Sequence, residues 1–271
     1  MSYFYSLTLT DKLYYNYMKI CIWCSKNENI VPFKKLAHTI PQSLGGKLIC
    51  ENVCDPCNEF FGRKEHGLPA VEIALKEVLN TSKYLLLTQH KEISLGRFKS
   101  EYFNFNYKNN SRTFKFKMGY KLRPNFQREF ARRFRRGIYK VFLEERERQI
   151  KDAHSDRFNF VREFSRYNLN DYPVYVHVPK FKAVLYNTED LLLPQIRFTD
   201  HSEEIDKEYR FYDYPLMGHN FVIPTSNQFM DERLKAYINH LRKIDDPFGS
   251  ELMPINNIEQ LDFRFNYMNG R

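Results

Sequence analysis

Two cysteine pairs with the same spacing stand in the N-terminal quarter of the sequence. Both have the form C-x-x-C, and they are Cys21 with Cys24 and Cys54 with Cys57. Four thiolates fill the tetrahedral coordination of Zn²⁺ and leave no open position, so we predict a structural zinc site. A redox C-x-x-C would be expected in a thioredoxin-like βαβ context, which two pairs do not indicate. The fifth cysteine, Cys50, is predicted to pack in the interior.

The residues between and directly after these pairs complete a longer motif. They include AHTIPQSLGG at 37–46, with a single histidine, and Asn58 immediately after the last cysteine. The run C-I-W-C … A-H-T-I-P-Q-S-L-G-G-K … N-V-C-D-P-C-N-E-F-F-G resembles the zinc-containing HNH endonucleases of the ββα-metal type, over about residues 19–66. In that family a histidine ends the first strand of a hairpin. A glycine-rich loop leads to the second strand, and C-x-x-C-N opens a helix.

The resemblance implies a role for three side chains. His38 matches the general base that activates water, and imidazole suits this task at physiological pH. Asn58 matches the residue that helps to hold a catalytic divalent ion, Mg²⁺ or Mn²⁺. Asn52 is matched to the middle asparagine, which braces the loop and the histidine, although it stands closer to the last C-x-x-C-N than is usual. The alternatives are a structural histidine in a turn and, for Asn58, a helix N-cap.

Ala37 departs from the family pattern. Family members commonly carry Asp, Glu or His directly before the base, where it binds the catalytic metal, and alanine cannot do so. Another residue would then supply the ligand, for example Glu65 or His66. Alternatively, the metal binds through Asn58, water and substrate phosphate, since Mg²⁺ often keeps several waters. The third alternative is a catalytically degenerate zinc-knuckle protein that only binds nucleic acid.

The pattern of helices and strands that must position these residues indicates an α+β protein with two domains. Residues 1–82 are predicted to form the zinc-stabilised ββα module, with a helix at 69–80. Residues 83–271 are predicted to form a larger mixed α/β companion domain that binds nucleic acid or a partner. Its clearest helix is 125–150, where an aromatic or aliphatic residue recurs every fourth position.

Further elements of the companion domain follow from shorter patterns. Helices are predicted at 156–167 and 228–244. A turn is expected at Asn109-Asn110. Strands or sheet segments are predicted at YLLLTQ (84–89), RFKSEYFNFNY (97–107), RTFKFKMGY (112–120), PVYVHVP, KAVLY, QIRFTD, YRFYDYP and NFVIP.

The long helix is also strongly basic. Five arginines lie off its apolar stripe, and a row of guanidinium groups can follow a phosphate backbone: Arg128, Arg132, Arg133, Arg135 and Arg136. The chain carries a formal net charge of +9, which makes an anionic partner plausible. The alternative is a solvated helix face that is partly balanced by glutamates.

The remaining expectations concern partners and location. We expect DNA as the partner, with RNA as the alternative, and a second copy or another protein as a ligand of the C-terminal domain. The N-terminus lacks a secretory signal, and no stretch of about 18 apolar residues exists. A cytoplasmic nuclease of this kind is expected to serve bacterial defence or mobile-element biology.

Overall fold

The α+β class is confirmed by the arrangement of helices and small antiparallel sheets. The structure is a computed structural model that describes residues 18–65, 67–87, 98–108, 111–121, 123, 125–179, 187–244 and 250–258.

The N-terminal region contains a short hairpin followed by a helix. His38 pairs with Ile49 in an antiparallel bridge, and the flanking backbone bonds join Thr39 N to Leu48 O at 3.0 Å. A short 3-10 turn, Gln42–Leu44, lies inside the hairpin loop. Helix α1, Asp55–Gly62, follows the last cysteine pair. This order of two extended segments and a helix agrees with the ββα arrangement that the resemblance implied.

Helix α2, Val71–Leu87, is longer than predicted. The strand expected at 84–89 is wrong, because Tyr84–Leu87 form the last turn of this helix. A short apolar run cannot distinguish a strand from a buried helix segment. Here the leucines Leu85 and Leu86 are buried in the same core as the earlier face of the helix, so packing extends it.

Helix α4, Phe126–Gln149, confirms the predicted long helix and follows the short α3, Met118–Lys121. Its predicted apolar stripe is buried throughout: Phe126, Phe130, Phe134, Ile138 and Phe142. The burial does not stop at this stripe. From Arg133 to Glu147 every residue of the helix is buried, including the charged ones. The helix therefore lies in the centre of the molecule and not on its surface.

The remaining elements surround this central helix. The helices are α5 Asn159–Ser165, preceded by a 3-10 turn Asp156–Phe158, then α6 Thr188–Leu192, α7 Asp200–Tyr209 and α8 Met230–Lys243. Strands β1 Phe103–Lys108 and β2 Ser111–Phe116 form an antiparallel pair. Strands β3 Tyr175–Pro179, β4 Phe211–Leu216, β5 His219–Pro224 and β6 Ser250–Pro254 form an antiparallel sheet in the order β4-β5-β3-β6.

Several strand predictions need correction. The segment QIRFTD at 195–200 forms no strand; Ile196 is buried, its carbonyl accepts a bond from Gln149, and Thr199 caps α7. The predicted strand at 112–120 ends at Phe116, and α3 follows it. Strand β6 was not predicted. The turn at Asn109-Asn110 and the segment KAVLY lie outside the described residues.

One hydrophobic cluster contains residues from the zinc-bearing segment, from α2 and α4, and from the four-stranded sheet. Helix α2 also crosses residue 82. The division into 1–82 and 83–271 stays a prediction, but side chains from both sides of it share this core. Within the described residues, none of the helices is long and apolar enough to cross a membrane.

Candidate functional site

The four paired cysteines converge at one point. Their sulfur atoms all lie within 4.8 Å of one another, and Cys24 Sγ is 3.7 Å from Cys54 Sγ. A tetrahedral zinc site with Zn–S bonds of about 2.3 Å places its sulfur atoms about 3.8 Å apart. The separation is far too long for a disulfide bond, which measures about 2.05 Å. The donor set and its spacing therefore fit zinc.

Hydrogen-bond donors reach two sulfur atoms of the cluster. Cys54 N donates to Cys21 Sγ at 3.4 Å, and Arg166 Nε donates to Cys57 Sγ at 3.4 Å. Hydrogen bonding from the Cys57 thiol lowers the pKa of Cys21 to about 5. Cys50 lies outside the group, and burial raises the pKa of its thiol, as suits an interior packing residue.

His38 is half-buried at the wall of a cleft of about 330 Å³. Gln42 Nε2 lies 2.9 Å from His38 Nε2, and an amide nitrogen can only donate. The contact is satisfied when His38 Nε2 is unprotonated, which is the form that a general base needs. The cleft is lined by Leu36, His38, Pro41, Gln42, Ser43, Asn58, Glu59 and Glu72.

Two glycines shape the loop that carries Gln42. Gly45 has φ of 103°, and a Cβ there would lie 2.1 Å from the carbonyl oxygen of Leu192. A Cβ on Gly46 would lie 2.0 Å from the carbonyl oxygen of Ile40. Both approaches exclude any side chain, so the double glycine is required by close backbone packing.

Asn58 lines the same cleft as His38, from the first turns of α1. Its Nδ2 donates to Leu36 O at 3.4 Å, which fixes the amide and leaves Oδ1 as the acceptor end. The N-cap of α1 is Cys54, so the N-cap alternative for Asn58 is wrong. Ala37 is buried, and its carbonyl accepts from Cys50 N at 2.9 Å.

Two carboxylates in the cleft were missed by the sequence analysis. Glu59 follows Asn58 on α1 and pairs with Lys35, while Glu72 lies in the first turn of α2. Glu72 belongs to no sequence motif that would identify it as a site residue. The packing of α2 brings it to the cleft. Glu65, by contrast, bonds to Arg133 Nη2 at 3.4 Å and does not line the cleft. His66 lies outside the described residues.

Asn52 is directed to the long helix. Its Nδ2 donates to Glu147 Oε1 at 2.6 Å, and its carbonyl accepts from Ile22 N at 2.9 Å. These contacts join the segment between the cysteine pairs to α4 and to the turn that carries Cys21 and Cys24. Asn52 is not among the residues that line the cleft of His38.

Residues 21–66 match the HNH endonuclease family model. The matched segment contains both cysteine pairs, the hairpin of His38 and helix α1, and we refer to it as the HNH module. Comparisons with curated proteins and with solved structures gave no match to the chain. The match shows that this module is similar to HNH endonucleases.

The HNH module is held by the long helix through a lysine that the sequence analysis also missed. Lys140 is fully buried, and its Nζ donates to His38 O at 2.8 Å. It also bonds to Glu144 Oε2 at 2.8 Å and pairs with Glu72 Oε1 at 3.1 Å. Burial lowers the pKa of Lys140, but the two carboxylates outweigh this and raise it, so the lysine is protonated at neutral pH.

The predicted row of exposed arginines is wrong for most of its members. Arg133, Arg135 and Arg136 are 6%, 4% and 1% exposed, because α4 lies inside the molecule. Arg136 Nε donates to Ser165 O, and Arg135 bonds to Tyr172 O. Arg132 is held by Asn168, Asn170 and Asp171. Arg128 is the exposed member of the five.

Proposed function

We propose that the HNH module hydrolyses phosphodiester bonds in DNA, with His38 as the general base. The observation that carries this proposal is the shared cleft: His38 and Asn58, which match the family's base and metal-side residue, line one cavity. The four-cysteine cluster brings the two ends of the motif together and so supports the hairpin and α1 that lie between and after the cysteine pairs. It has no open position for chemistry, so the cleft is where the reaction would take place.

The residues supply a balanced hydrolytic step. His38 Nε2 accepts a proton from water, and the water oxygen forms a bond to phosphorus. The phosphorus–oxygen bond to the leaving nucleotide breaks, and the leaving oxygen takes up a proton from solvent. Gln42 Nε2 lies 2.9 Å from this ring nitrogen. The attacking water therefore replaces the Gln42 amide there when the substrate binds.

The cleft offers oxygen donors for a catalytic divalent ion. We infer that Asn58 and Glu72 hold it, with Glu59 as a further carboxylate, since carboxylate and amide oxygens suit Mg²⁺ and Mn²⁺. When bound, such an ion offsets charge on the pentacovalent phosphate and stabilises the leaving oxygen. Glu72 would then replace the ligand that Ala37 cannot provide.

Contacts to the substrate backbone are assigned to lysines beside the cleft. Lys34 and Lys35 are exposed and directly precede Leu36, which lines the cleft. Asp55 Oδ1 accepts from both lysine backbone nitrogens at 2.8 Å, so the segment is fixed on α1. Cationic side chains at this edge can neutralise phosphates next to the scissile bond. Of the predicted arginines, only Arg128 keeps the exposure for such a contact.

The test is cleavage of supercoiled plasmid by the full-length, zinc-loaded protein with Mg²⁺ or Mn²⁺. We expect nicking or linearisation that is lost in His38→Ala and retained in the matched control His201→Ala, whose histidine is exposed and remote in sequence. Single-stranded RNA in parallel reactions separates the two substrate classes. Absence of cleavage under all metals, or equal activity of His38→Ala, would refute the nuclease proposal.

A second function is favoured by the buried Ala37. A degenerate module would bind nucleic acid without cutting it, and its binding would weaken steeply with salt. The same protein samples decide between the two, because binding without cleavage supports this alternative.

A nuclease in the cytoplasm, with a C-terminal region that binds a partner or a second copy, fits a role in bacterial defence or mobile-element biology.

A further inference from the structure

One face of α4 presents buried polar side chains to the HNH module. Lys140, Glu144 and Glu147 are spaced four and three residues apart, so they lie on one side of the helix, and Glu145 is adjacent to them. Glu144 Oε1 accepts from Trp23 Nε1 at 3.1 Å. Glu145 Oε1 accepts from Thr39 Oγ1 at 2.5 Å, and Glu147 accepts from Asn52.

Lys140 contacts the backbone of the hairpin that carries His38. An ammonium group has three donors, and its shortest contacts are to His38 O, Glu144 and Glu72. A longer contact of 3.4 Å reaches Thr39 O. One buried cation therefore lies between the backbone of the predicted base and a carboxylate that lines the cleft.

Stability alone is a weak reason for this arrangement. Buried ion pairs lose about as much in desolvation as they gain in attraction, and apolar side chains of similar volume are often equally stabilising. An apolar side chain could fill the space of Lys140, but it could not donate to the His38 carbonyl. Nor could it hold that carbonyl and Glu72 at a fixed separation.

We propose that Lys140 is a positioning residue for the nuclease site, which sets the hairpin of His38 relative to the carboxylate of Glu72. This inference deepens the proposed function and rests on it for its catalytic consequence. It also makes the HNH module dependent on a helix that begins 60 residues after the end of the family match, since the match stops at 66 and α4 starts at Phe126.

The test compares Lys140→Met with the double variant Lys140→Met/Glu144→Gln. The single variant leaves Glu144 buried without its cationic partner and is expected to lower the unfolding temperature. In the double variant the amide that replaces the Glu144 carboxylate still accepts from Trp23 and carries no charge, so the unfolding temperature is expected to recover. Lys207→Met is the control, an exposed lysine of α7 with the same substitution.

We expect both Lys140 variants to lose kcat on oligonucleotide substrates by roughly 100-fold, with KM little changed, because small misplacements of catalytic groups cost about this much. We also expect hydrogen–deuterium exchange at the amides of Thr39 and Cys50, which close the hairpin, to accelerate in both. Recovery of kcat together with stability in the double variant would overturn the proposal, as would wild-type kcat in the single variant.

The exchange measurement separates this proposal from the proposed function. If the wild-type protein cuts no substrate but the hairpin amides exchange faster in the double variant, the nuclease proposal fails and the positioning contact stands. If the wild type cuts and the hairpin amides of the double variant are unchanged, the positioning proposal fails alone.

Discussion

Asn52 and Glu147 form a hydrogen bond of 2.6 Å between the zinc-bearing segment and the central helix. Glu147 is 3% exposed, and its second oxygen, Oε2, is buried and has no hydrogen-bond partner among the residues that the structure describes. The amide of Asn52 therefore compensates one oxygen of this buried carboxylate. The family resemblance assigned Asn52 to bracing the loop of the base; here it braces the module against α4.

Removal of this amide is expected to destabilise the fold. Asn52→Ala leaves the Glu147 carboxylate buried without its donor, which costs about 1–3 kcal/mol. Urea unfolding measures the loss. In Asn52→Ala/Glu147→Leu both polar partners are removed, and we expect most of the stability to return. An unchanged midpoint in Asn52→Ala would show that the contact contributes nothing.

The cysteine cluster is expected to bind one zinc ion per chain. Chelation should lower the unfolding temperature, because a structural zinc contributes directly to folding free energy. Cys24→Ser should abolish stoichiometric zinc, whereas Cys50→Ser should retain it, since Cys50 lies outside the cluster. Metal analysis of the purified variants provides the check. A zinc-free wild type with the same stability would contradict the assignment.

Glu72 is expected to contribute to affinity for the catalytic ion. Glu72→Gln should weaken Mn²⁺ binding to the zinc-loaded protein roughly tenfold or more, measured by calorimetry, as is typical when a ligand or its support is lost. Glu65→Gln is the matched control, because Glu65 bonds to Arg133 away from the cleft. The ligand assignment is wrong if Glu65→Gln weakens Mn²⁺ and Glu72→Gln does not.

Acid is expected to destabilise the protein through a buried histidine. Burial lowers the pKa of His219 from 6.5 to about 4, so the folded state holds it neutral. Its contribution is therefore complete above pH 6.5 and is lost as the pH falls from 6.5 to 4, by about 3 kcal/mol in total. Denaturant unfolding between pH 8 and pH 4 measures this slope. His219→Gln should flatten it, and the exposed control His201→Gln should not.

An exposed and a buried basic residue are expected to differ in their effect on nucleic-acid binding. Lys34→Ala, in a His38→Ala background that prevents cleavage, should weaken DNA binding and reduce its salt dependence by about one counterion. Arg136→Met should instead lower the unfolding temperature and leave the salt dependence unchanged, because Arg136 is buried on Ser165 O. The opposite pattern would restore the helix arginines as phosphate contacts.

The chemistry of the motif could be predicted from the sequence because it depends on short spacings. Two C-x-x-C turns specify thiolate pairs, and the resemblance carried by AHTIPQSLGG at 37–46 implied a hairpin with a glycine-rich loop. The aromatic and aliphatic residues at every fourth position of α4 likewise predicted its length, since helical periodicity is local.

Partners remote in sequence were decided by the tertiary structure alone. Lys140 and Glu72 lie 102 and 34 positions from His38 in the sequence, and neither stands in a recognisable motif. The arginines of α4 have the composition of a phosphate-binding face. Most of them have structural contacts instead, because the helix is buried inside the molecule. This burial depends on which elements pack together, and no local sequence pattern contains that information.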